Sequence, residues 1–149
     1  MSNPNKAKGN RWELALRKLF RAATIRAFKP YQEGHEDAGD IQGLSPFVGQ
    51  AKDWARWEDA IRVGLDGAER QKVKAREAYG VAFVKRARSS TGYGYAVTTV
   101  VTFVRALLRL RRAEALLREH APEAYAEHMA AVRVELGTDY DSLAKLQKD

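Results

Sequence analysis

At 149 residues and 45% hydrophobic content the chain has one domain's length and enough apolar residues for a core, while 26 Lys and Arg against 19 Asp and Glu leave a net charge of +7 that favours a polyanionic partner. The absence of cysteine excludes disulfides and thiolate zinc sites and suits a reducing cytoplasm, and His35, His120 and His128 form no H-E-x-x-H pair. No apolar run approaches the roughly 18 residues of a membrane span and the first residues lack the apolar stretch of a signal peptide, so a cytoplasmic protein without a membrane is expected.

Residues 1–8 are polar and basic and read as a mobile arm, in which Lys6 and Lys8, with Arg11 just beyond, are either phosphate contacts or a solvated terminus. From Asn10, a plausible N-cap, the spacing Trp12, Leu16, Leu19, Phe20, Ala23 predicts a helix that exits near Thr24. Glu13 borders its buried stripe, where on the helix alone it reads as a partner for the dipole. Over 24–29, Ile25, Ala27 and Lys29 alternate with Arg26 and Phe28, which suits a first strand ending at Pro30. Residues 31–39 form a loop rich in Gly and acids; Glu36 and Asp37 lie close enough to Asp40 to be substitute ligands or to support a ligand from behind, although a charged loop is the commoner explanation of them and of His35.

Residues 40–44 and 47–52 flank Ser45 and Pro46, so they read as adjacent strands joined by a turn. The strand period sends Val48, Gln50 and Lys52 to one face and Phe47, Gly49 and Ala51 to the other, which brings Gln50 and Lys52 together near Asp40. A carboxylate there suits a hard cation such as magnesium, and a lysine beside it suits the charge that builds on a phosphate under attack.

Beyond Lys52 a helix is expected to about residue 79, with Gly64 and Gly67 marking a bend, a close backbone contact or merely tolerated glycines. Gly80 punctuates, 81–84 reads as a buried strand, and its basic end Lys85-Arg86-Ala87-Arg88 meets a Ser/Gly turn before a strand over 95–98, an arrangement suited to gripping phosphates. From Thr99 the stripe Val100, Phe103, Val104, Leu107, Leu108 predicts a helix to about residue 117, with Arg105, Arg109 and Arg112 on another face. Pro122 opens a last helix that Gly137 closes, suited to packing or dimerisation, and a polar tail follows.

The pattern Asp40-(x)9-Gln50-x-Lys52, preceded by Glu13 on a helix, resembles the PD-(D/E)xK nuclease motif, and within that superfamily the chain looks most like the small Holliday junction resolvases of the archaeal and phage-encoded types. The resemblance covers about residues 8–110. It implies an α/β, restriction-endonuclease-like core of α-β-β-β-α-β order, a central mixed sheet flanked by helices, with an added C-terminal helical segment. The whole chain would then be one nuclease domain with its core over about 9–117 and the extension over about 118–149. The resemblance further implies that Asp40, Gln50 and Glu13 hold Mg2+, with Mn2+ as a substitute, that Lys52 acts on water or phosphate, and that Arg26 lies near the scissile phosphate. Lys6, Lys8, Arg11, Lys85, Arg86 and Arg88 would contact DNA. The implied protein is a homodimer acting on four-way or other branched junctions in a bacterial or phage-infected cell. Gln50 departs from the usual carboxylate and so keeps two other readings open: a different repair, restriction or replication nuclease, and a DNA-binding module of the same fold without chemistry.

Overall fold

The turn at Ser45-Pro46 is where the sheet begins. Strand β1 (Ile41–Leu44) runs antiparallel to β2 (Phe47–Lys52), with Ile41 opposite Gly49. In the computed structural model, which describes residues 4–30 and 39–137, β2 then pairs in parallel with β3 (Tyr79–Val84), from Phe47 opposite Tyr79 to Lys52 opposite Val84. Parallel neighbours cannot be joined by a hairpin, and helix α2 (Trp57–Lys74) makes the crossover. Strand β4 (Tyr95–Val97) returns antiparallel to β3, which gives the order β1-β2-β3-β4. The architecture is α/β, a four-stranded mixed sheet flanked by helices.

Each face of the sheet has its own helix. On one side α1 (Pro4–Ala22) buries Trp12 and Leu16 against Ile41 and Ala51, with Phe20 and Phe83 packed alongside at 5.3 Å between ring centroids. The Trp12 indole N–H donates to the Phe83 carbonyl at 3.0 Å, so the ring is tied to β3 and its one polar atom is satisfied. On the other side α2 lays Ala60 against Ala82 and Val84, with Ile61 and Leu65 at the margin. The approach is close: a Cβ on Gly80 would lie 2.7 Å from the Ala68 carbonyl carbon. Gly80 is therefore inside β3 because α2 leaves no room for a side chain, and the punctuation read there is corrected to a strand that starts at Tyr79.

Other boundaries shift for local reasons. Residues 4–8, expected to be a mobile arm, are the first turns of α1; Pro4 suits a first helical position, Lys6, Ala7 and Lys8 are good helix formers, and Asn10 lies inside the helix. The strand expected over 24–29 is reduced to a single antiparallel bridge between Phe28 and Gln42. Its upstream amides are already used, since Thr24 N–H donates to Arg21 O and Ile25 N–H to Phe20 O, and these bonds close off the end of α1. Helix α2 stops at Lys74, five residues before the expected end near 79. Arg76 takes φ 56°, its N–H donates to Val73 O, and Glu77 N–H donates to Lys72 O, the pair of bonds that a glycine usually closes.

Helix α3 (Val100–His120) starts where expected, the Thr102 N–H donating to the Thr99 side chain at 3.1 Å. Most of its apolar stripe is left open to solvent. Val100, Phe103, Val104 and Leu108 are exposed, and Thr102 is the buried residue of the helix, its hydroxyl 3.4 Å from Glu69 Oε1 on α2. Helix α4 (Pro122–Gly137) packs back along α3, where His128 meets Glu114 at 3.0 Å. Residues 31–38 of the expected loop, with His35, Glu36 and Asp37, and the tail over 138–149 lie outside the described residues. Among the described residues no helix is long and apolar enough to cross a membrane.

Candidate active site

Asp40 sits immediately before β1, after Gly39 at φ 97°, a left-handed conformation that glycine adopts at little cost. Its backbone N–H donates to Gly49 O at 3.0 Å and its Oδ2 accepts the Ala51 N–H at 2.8 Å. The carboxylate is thus clamped against β2 by main chain, and the register Ile41 to Gly49, carried one residue further, sets Asp40 across from Gln50. A cleft of about 710 Å³ opens at this end of the sheet, and Glu13, Asp40, Lys52 and Asp53 line it together with Lys6 and Lys8 from the first turns of α1. Glu13 is held there by Lys29, whose ammonium stands 2.8 Å from Glu13 Oε2.

Gln50 and Lys52 share the face of β2 that looks at α2, and the two glycines of that helix make room for them. A Cβ on Gly64 would lie 3.0 Å from Lys52 Cγ, and one on Gly67 would lie 3.3 Å from Gln50 Oε1. Beyond this point the two side chains part. The Lys52 stem passes over Gly64 and its ammonium rises into the cleft, 5.7 Å from the centre of the Trp54 ring. Gln50 is buried, its Nε2 donating to Gln71 Oε1 at 2.7 Å, and it is not among the residues lining the cleft.

A second groove, of about 560 Å³, continues from the first and shares Lys8, Asp53, Trp54 and Ala55 with it. Arg11, Lys85, Arg86 and Arg88 line it. The junction is made by backbone, because the Lys85 N–H donates to Lys52 O at 2.9 Å and so starts the basic strand end beside the last residue of β2. Arg26 is exposed and lines neither opening.

Several residues of this site carry little or no signal in the sequence. Gln71 lies 21 residues from its partner on a different element, and only the packing of α2 reveals it. Lys29 reads as a strand end, yet it holds Glu13. Asp53, next to Lys52, could have been suspected from its position alone; its Oδ2 pairs with Lys85 Nζ at 3.2 Å. Among the described residues no three His, Cys, Asp or Glu side chains stand close enough together to hold a metal ion. The carboxylates of Asp40 and Glu13, which line the cleft beside Asp53, are nevertheless of the type that magnesium accepts, an ion commonly bound through one or two carboxylates and completed by waters and phosphate. No family model, curated protein or solved structure matches the chain.

Proposed function

We propose that the chain is a metal-dependent endodeoxyribonuclease of the PD-(D/E)xK type, resembling the Holliday junction resolvases and cleaving phosphodiesters at branched DNA. The observation that carries this reading is the meeting of Asp40 and Lys52 with Glu13 over one cleft that runs on into a cationic groove. The order α1, bridge, β1, β2, α2, β3 supports the restriction-endonuclease-like core that the motif implies.

In this reading Asp40 and Glu13 hold Mg2+, or Mn2+ in its place, which when bound supplies Lewis acidity at the phosphate and a more acidic water. Asp40 is fixed for that task by the Ala51 N–H, so little side-chain freedom is lost on binding. Lys52 sets a positive charge at the cleft, where it stabilises the anion that develops on the phosphate. Gln50 acts from behind the cleft by pinning β2 to α2 through Gln71. Lys85, Arg86 and Arg88 hold the strand by its phosphates. A homodimer would present two such clefts to one junction, and the exposed apolar side of α3 supports self-association.

The second reading, a DNA-binding module of the same fold without chemistry, is favoured by the neutral Gln50 and by the ion pair that occupies Glu13. Incubating the protein with a four-way junction, a fork and a linear duplex, with magnesium or with chelator, separates the two. Magnesium-dependent cleavage of the branched DNAs in preference to the duplex is the expected result. Retention of all three DNAs without cleavage in either condition would favour the binding module.

A further inference from the structure

Three aromatic rings stand in the cationic groove without belonging to either core cluster. Trp54, Trp57 and Tyr95 are 43%, 53% and 43% exposed. Trp54 lies on the boundary shared with the cleft, and Trp57 and Tyr95 pair at 6.5 Å between centroids and 47° between planes further along the groove. Rings left half in water forgo much of the stabilisation that burial would bring, so packing alone does not account for three of them in one opening. Their neighbours say what would cover them. Lys8, Arg11, Lys85, Arg86 and Arg88 line the same groove, and Asp53, its one acidic lining residue among the described residues, is engaged by Lys85. Cations that track a phosphate backbone, alternating with flat apolar faces, are complementary to a strand whose bases are unpaired. In a fully paired duplex the base faces are occupied by their neighbours, and only phosphates would meet this surface.

We propose that the groove binds a single DNA strand, with unpaired bases stacked on Trp54, Trp57 and Tyr95 and phosphates held by the cationic rim. This rests on the nuclease reading for its direction: the strand leads from Tyr95 past Trp54 to the cleft of Asp40 and Lys52. The substrate class it names is DNA with an unpaired stretch beside the scissile bond, a fork or flap, in preference to a junction whose arms are paired throughout.

The test measures binding in chelator, so that it does not depend on cleavage, using a labelled oligothymidylate and a blunt duplex as probes. Trp57→Ala and Tyr95→Ala are each expected to weaken oligothymidylate binding about tenfold, with the duplex changed less than about twofold and Trp57→Phe retaining most of the affinity. Both side chains are half exposed, and thermal melts of the variants confirm that they remain folded. Equal losses on both probes, no loss on either, or a wild-type protein that does not bind oligothymidylate would overturn the proposal. A selective loss in a protein that cleaves no DNA with magnesium would leave the aromatic groove standing and remove the nuclease reading. Cleavage of branched DNA by a protein indifferent to the aromatic substitutions would do the reverse.

Discussion

The bond from the Ala51 N–H to Asp40 Oδ2 and the bond from Gln50 Nε2 to Gln71 Oε1 lie on adjacent residues of one strand and do different things. The first aims a carboxylate at the cleft. The second satisfies two buried amides that would otherwise be stranded between β2 and α2. Gln71→Ala would leave the Gln50 amide without that partner in an interior site, at a cost of about 1–3 kcal/mol. Urea unfolding is expected to show that loss, with a smaller combined loss for Gln50→Ala with Gln71→Ala than the two single changes would sum to. The period of β2 made it legible that Gln50 and Lys52 share a face. It could not say that one side chain rises into the cleft while the other stays behind, because that depends on Gly64, Gly67 and Gln71 of a helix placed by tertiary packing.

Among the elements, the hairpin around Ser45-Pro46, the crossover helix and the strand ending at Val84 were readable from alternation and turn residues. The strand expected over 24–29 shrinks to one bridge, since its alternation is real but its first amides are spent on the end of α1, a matter of hydrogen-bond accounting that side-chain pattern does not record. The end of α2 was hidden for a similar reason: Arg76 occupies the left-handed position where glycine would have announced the stop. The glycines of α2 and β3 yield a contrast. A Cβ on Gly80 meets backbone of Ala68, whereas one on Gly64 meets the flexible Lys52 stem and the Ala82 methyl. Gly80→Ala is expected to cost about 1–3 kcal/mol by forcing α2 away from the sheet, while Gly64→Ala comes out closer to neutral as helix propensity offsets the tighter contact. Denaturant midpoints of the two variants check the ordering.

For the whole molecule, the charge of +7 was the most general signal, and the described structure gathers part of it into the groove beside the cleft. The helical period of α3 announced an apolar stripe but not its fate. Val100 is 79% exposed and Phe103 62%, so much of the stripe is left open to solvent. Self-association through this face is the arrangement proposed for the dimer. Phe103→Asp sets a charge on it without touching the core, and sedimentation equilibrium is expected to shift the protein towards monomer, with thermal stability of the monomer little changed. An unaltered mass distribution would take α3 out of the interface.

The claim on which the rest depends is that Asp40 and Lys52 perform chemistry and do not merely shape the cleft. Asp40→Asn keeps an oxygen for the Ala51 N–H, and Lys52→Met keeps the stem over Gly64 while removing the charge, so both changes leave the packing described above in place. The decisive measurement compares each variant with the unaltered protein on the same labelled branched DNA, recording cleavage in magnesium and binding in chelator. The account predicts at least a hundredfold loss of cleavage rate, about 2.7 kcal/mol or more in the barrier, with binding within about threefold. Cleavage at the unaltered rate, or cleavage and binding lost together, would contradict it.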